Sequence, residues 1–113
     1  MNLTISPSRH YALAAVSGDI THAVSPQFQE SLLGALASHP ALVLECSGIG
    51  ILTSAGLRAL LLLHRAAQTD GKRLALAGVP QSVRDVMEIT GFWTHFAVFE
   101  SEDAAAETLR QPA

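Results

Sequence analysis

The sequence predicts an α/β fold, a mixed and mostly parallel sheet packed with helices in the order β-β-α-β-α-β-α-β-α. Three observations predict it. Short apolar runs of strand length alternate with longer stretches whose apolar residues recur every three or four positions. The run over residues 41–46 is apolar on both faces apart from Glu45, which suits a central strand covered by helices. Turn and cap residues (Pro7, Gly18, Pro40, Gly71, Pro80 and Gly91) stand where one kind of segment gives way to the other. Strands alternating with helices imply right-handed crossovers and hence parallel pairing.

Residues 2–6 alternate polar and apolar side chains and residues 11–16 form an apolar run, so both read as strands, with Pro7-Ser8-Arg9-His10 as the turn. Ser17-Gly18-Asp19 is expected to break the second strand. Ser25 is expected to cap a helix with Pro26 at its first position, burying Phe28, Leu32, Leu33 and Leu36, and His39-Pro40 to end it. After the strand over 41–46, Ser47-Gly48 is expected to turn the chain, and Ile49 to Leu52 leads into a helix over residues 54–68. There Leu57, Leu60, Leu61 and Leu63 should face inward, with Arg58 and Arg65 on another side. Asp70-Gly71 closes this helix, Gly71 in a left-handed conformation. Arg73–Ala77 is the next strand. Pro80 opens a third helix with Val83, Val86, Met87 and Ile89 as its apolar stripe, and Gly91 stops it. Residues 92–96 read as a loop and Ala97–Phe99 as the last strand. Ser101 caps a final helix, with Glu102 and Asp103 in the first turn, where the helix dipole favours acids.

At 113 residues the chain is expected to form one domain over 1–113, able to bury a core without metal or disulfide staples. Hydrophobic residues make up 49% and aromatics 5%, so Leu, Val, Ile and Ala must build that core. A net charge of −3 with only seven Lys and Arg gives no footprint for nucleic acid, and the pair Lys72-Arg73 is too short to track a phosphate backbone. The single Cys46 excludes an internal disulfide, fits a reducing compartment, and reads as a small buried hydrophobe. The longest apolar block, residues 56–63, is interrupted by Arg58 and too short to span a bilayer. No basic region followed by an apolar stretch opens the chain, so a cytoplasmic location without membrane insertion is expected.

Motifs of catalysis fail on spacing. Gly48-Ile49-Gly50 is followed by Gly56, too far on for a dinucleotide turn, and Gly71-Lys72 lacks the rest of a phosphate loop. Ser54 is not in a Gly-x-Ser-x-Gly elbow, because position 52 is Leu52. The histidines (His10, His22, His39, His64 and His95) show no metal-ligand spacing. No enzymatic activity, metal or cofactor is therefore expected. One stretch carries chemistry: residues 48–58 place Thr53 and Ser54 at a strand-to-helix junction, followed by the small Ala55 and Gly56. Either hydroxyl can cap the helix. A phosphate on one would also meet free N–H groups and the positive helix end.

That stretch, with Leu42-Val43-Leu44-Glu45 before it, resembles the strand and signature loop of bacterial anti-sigma factor antagonists, the STAS type of domain. The likeness continues at Ser17-Gly18-Asp19-Ile20-Thr21, at Asp70-Gly71-Lys72-Arg73-Leu74-Ala75-Leu76, through residues 83–92 with their Thr90-Gly91-Phe92 ending, and at residues 99–105. The resemblance implies a protein-binding switch. It places the phosphoacceptor at Ser54, an anti-sigma serine kinase as partner, and a PP2C-type phosphatase to reverse the modification. It implies a contact surface of Asp19, Thr21, His22, Thr53, Ala55, Gly56 and Arg58, and a monomer or weak dimer. Two acidic positions of the family are Thr53 and Thr21 here. STAS subunits of lipid ABC transporters resemble the chain too, with a Thr-Ala-Gly-Leu form of the loop, and give the alternative reading.

Overall fold

Alternating apolar pattern and turn chemistry resolve into the expected element order in a computed structural model, which describes residues 1–111. Residues 112 and 113 of the expected domain lie outside the described residues. The elements are β1 (Asn2–Pro7), β2 (Ala12–Ile20), α1 (Ser25–Ala37), β3 (Ala41–Leu52), α2 (Ser54–Thr69), β4 (Arg73–Ala77), α3 (Gln81–Ile89), β5 (Ala97–Phe99) and α4 (Glu102–Arg110). One sheet takes all five strands in the order β1-β2-β3-β4-β5. Its β1–β2 pair is antiparallel and the other pairs are parallel, so the sheet is mixed and mostly parallel as the sequence predicts.

Alternation along the strands sorts the core into two layers. Ala12, Ala14, Val16, Leu42, Leu44, Cys46 and Leu76 meet Phe28, Leu32 and Leu36 of α1, Leu57, Leu60 and Leu63 of α2, and Val83 and Met87 of α3. On the opposite face Ala41, Val43, Ala75 and Ala77 pack against Ala105 and Ala106 of α4. Each fully buried Leu or Phe contributes about 1.5–3 kcal/mol. Small alanines on the second face let α4 lie close, and Tyr11 Oη donates to Glu102 Oε2 at 3.0 Å, tying the start of β2 to that helix. Among the described residues no helix is long and apolar enough to cross a membrane.

Several local expectations are corrected. Ser17-Gly18-Asp19 does not break β2, which continues beside β3 through two register shifts, with Gly18 at φ +88°. Turn-type residues here make bulges rather than an end. Ser47-Gly48 likewise stays within β3. A Cβ on Gly48 would stand 2.8 Å from Ser17 Cβ, so that glycine permits the strands to close on each other. Ser25 is not the cap of α1: Val24 holds that position, and Ser25 Oγ donates to the His22 carbonyl at 3.3 Å. Ile89 leaves the apolar stripe of α3 and is 86% exposed. At 100° per residue it lies roughly 140° from the Val83–Met87 line. Leu33, Leu61 and Val86 are only half-buried. The loop over 92–96 contains a short 3-10 turn, Trp93–His95.

Lys72-Arg73 finds a role in helix ends. Lys72 Nζ donates to the carbonyls of Leu36 and Ala37 at 2.5 and 2.8 Å, while the Arg73 guanidinium donates to those of Gln111 and Thr108 at 3.0 and 3.3 Å. Each cation satisfies the orphan carbonyls of a helix C-terminus, α1 and α4 respectively.

Candidate functional site

The C-terminal ends of β2 and β3 lead directly to the starts of α1 and α2, and the junction is fastened by polar contacts that cross between them. Ile20, the last residue of β2, offers one carbonyl to two donors of the same residue. Thr53 N–H donates to it at 3.2 Å and Thr53 Oγ1 at 2.7 Å. Thr53 Oγ1 also accepts the Gly56 N–H at 3.3 Å, which makes Thr53 the N-cap of α2 in extended conformation. One residue earlier on β2, Asp19 Oδ1 accepts the Ile51 N–H at 3.0 Å. A side chain on Gly50 would run into that carboxylate, so Gly50 keeps the space it needs.

This arrangement decides between the two hydroxyls. Thr53 is consumed by the cap, whereas Ser54 stands at the first helical position, exposed, and its hydroxyl has no hydrogen-bond partner among the described residues. The Gly56 N–H goes to Thr53 Oγ1 and the Leu57 N–H to the Thr53 carbonyl at 2.9 Å. The N–H groups of Ser54 and Ala55 have no acceptor among the described residues, and the first turn of α2 carries no acid. Unpaired N–H groups and the positive end of the dipole make this turn receptive to negative charge.

Of the other residues expected on the surface, His22, Ala55 and Arg58 line one cleft, while Asp19 and Thr21 flank Ile20, whose carbonyl meets Thr53. Thr21 is exposed, and its carbonyl accepts the Ser25 N–H at 3.1 Å to start α1. A cleft of about 440 Å³ separates the two helix starts, with His22, Ser25, Pro26 and Glu30 on one wall and Ala55 and Arg58 on the other. Gly56 departs from the expectation. It is buried, and a Cβ there would stand 2.7 Å from Leu52 Cδ1 and 2.8 Å from Ile20 Cγ2. Its absent side chain lets α2 press onto the sheet, so it supports the surface from beneath.

Elsewhere the site-type residues are inert or differently employed. Burial, and then the charge of Glu45, pushes the Cys46 thiol up to about 12, so the thiolate is not formed near neutrality. Among the described residues no group of three or more His, Cys, Asp and Glu side chains could hold a metal ion. A larger cleft, about 730 Å³, lies at the far edge of the sheet beside Gly78, Arg84, Trp93 and Glu100, and includes none of the residues singled out above. Two features escape sequence reading. The Ile20 carbonyl anchors the junction through its backbone alone, and His64 and His95, distant in sequence, bring their rings to 6.2 Å. Neither leaves a signal in residue type or spacing.

Comparison with known proteins places this geometry. A family model described as Mlab, STAS domain, matches residues 5–97. BtrV of Bordetella bronchiseptica, named provisionally as an anti-sigma factor antagonist, is 29% identical over 111 residues, which span 97% of this chain and 96% of that protein. The crystal structure of an anti-sigma factor antagonist from Mycobacterium paratuberculosis superposes with a TM-score of 0.87 at 21% identity, over 97% of this chain and 94% of that one. The phosphorylated form of the Bacillus cell fate determinant SpoIIAA superposes at 0.76 with 15% identity, over 96% and 100%. At these identities the two structures speak for the fold.

Proposed function

Because this chain belongs to the STAS domain family, we propose that it is an anti-sigma factor antagonist, a non-catalytic switch that binds an anti-sigma serine kinase and so releases a sigma factor. The observation that carries this reading is the division of labour between Thr53 and Ser54. With the cap supplied by Thr53, the Ser54 hydroxyl is left free at the positive end of α2. Phosphate there adds a charge of about −2 and three acceptor oxygens, opposite N–H groups that have no other partner. The modification therefore changes the surface without breaking a contact that holds the fold. Asp19, Thr21, His22, Thr53, Ala55 and Arg58 form the surface that the kinase covers, and a PP2C-type phosphatase restores it. The likeness to BtrV along almost the full length of both chains supports the antagonist reading. In that reading the chain is a single domain over 1–113 that acts in the cytoplasm as a monomer or weak dimer.

The test is affinity for the cognate kinase. Wild type forms a stoichiometric complex, and Ser54→Asp, which puts a carboxylate at the helix start, weakens it by roughly tenfold or more. Equal affinity of the two proteins removes the switch. Thr53-Ser54-Ala55-Gly56-Leu57 also resembles the transporter form of the loop, so a lipid ABC transporter subunit is the second reading. Stable co-purification with an ATPase subunit in place of the kinase would establish it.

A further inference from the structure

Helix α2 carries no acidic residue, on a chain whose net charge is −3. Its two cations, Arg58 and Arg65, are exposed and make neither an ion pair nor a hydrogen bond among the described residues. This sets them apart from the engaged cations: Lys72 and Arg73 close helix ends, and Arg84 pairs with Glu88 at 2.6 Å while lying 4.7 Å over the Trp93 ring. Spaced at 100° per residue, Ser54, Arg58, Leu62 and Arg65 fall within an arc of about 80° and span roughly 16 Å along the axis. All four are exposed, and Leu62, 38% exposed, lies between the arginines. Glu30, which lines the cleft opposite Arg58, forms no ion pair with it.

We propose that this outward stripe of α2 docks an acidic amphipathic segment of a partner protein, with carboxylates facing Arg58 and Arg65 and an apolar side chain seated against Leu62. The inference rests on reading Ser54 as the centre of the binding surface, and it supplies the chemistry of the partner and a reason why phosphate would release it. A phosphate on Ser54 sits one helical turn before Arg58 on the same face, where i,i+4 side chains meet. It takes up that cation and adds negative charge at the end of the stripe, so an acidic partner is repelled. A protein segment is favoured over a membrane because Leu62 is the one exposed large apolar residue on the helix.

The probe is a synthetic helical peptide bearing Glu and Leu along one face, titrated into the isotope-labelled protein at low ionic strength. Amide shifts should map to α2 and weaken with added salt. Arg58→Ala/Arg65→Ala should reduce affinity roughly fivefold or more, as should Ser54→Asp, with thermal unfolding little changed because these side chains make no ion pair or hydrogen bond among the described residues. A peptide with Lys in place of Glu should not bind. The proposal is overturned if both peptides bind alike, if the double variant binds as wild type, if no shifts reach α2, or if anionic phosphatidylserine vesicles bind while the peptide does not. Such a failure leaves the kinase reading intact, since that is judged on the kinase itself. Loss of kinase affinity by Ser54→Asp together with a negative peptide result would assign the kinase contact to other chemistry.

Discussion

Thr53 combines four contacts in one short side chain and its backbone. It donates twice to the Ile20 carbonyl, and its Oγ1 and carbonyl accept the Gly56 and Leu57 N–H groups. Thr53→Ala removes the cap and one donor and should cost about 1–2 kcal/mol of stability by urea denaturation, while Ser54→Ala should cost almost none. The sequence offered both hydroxyls as caps without ranking them, because the choice depends on where the end of β2 lies, a tertiary fact. Gly56 is similar. Its small size was legible and the resemblance implies a place on the contact surface, yet it makes a close approach to Ile20 and Leu52. Gly56→Ala overpacks that contact and should destabilise by about 1–3 kcal/mol in the same assay. Cys46 behaves as its apolar surroundings imply. With its thiol pushed up by burial and by Glu45, it should resist a thiol reagent in the native protein and react once unfolded.

Helices α2 and α4 and strands β4 and β5 were legible from caps and periodicity, with β4 and β5 correct to the residue. Residue type alone ends strands β2 and β3 early, because glycine and serine normally punctuate strands. In the sheet, the same residues form the bulges through which the two strands lead on to the Ile20–Thr53 junction. The contact between α2 and the 3-10 turn was not legible at all, since His64 and His95 join only through the fold. Burial, and then the neighbouring His95, lower the pKa of His64 from its ordinary 6.5, so the folded chain favours the neutral ring. The unfolded chain therefore takes up this proton at higher pH than the folded one. Stability from this contact is full above the ordinary value and is lost as pH falls through it toward the depressed one. His64→Gln should flatten the acid side of the stability–pH curve measured by thermal unfolding.

Across the whole molecule, a mostly parallel sheet carries three helices on one face and α4 on the other, and hydrogen bonds join the C-terminal ends of its strands β2 and β3. The element order foretold that architecture, because alternating strands and helices leave few topologies. Which hydroxyl faces outward, and which cations are free, emerged only once the chain was folded. The claim that most depends on this assembly is that Ser54 is the regulated centre of the binding surface. Intact-mass analysis of the protein incubated with its cognate anti-sigma kinase and ATP tests it most directly. The account predicts a single phosphate, mapped to Ser54, on a protein that no longer holds the kinase. A phosphate on Thr53, no phosphate at all after incubation with the kinase, or a Ser54-phosphorylated protein that still holds the kinase, would contradict it.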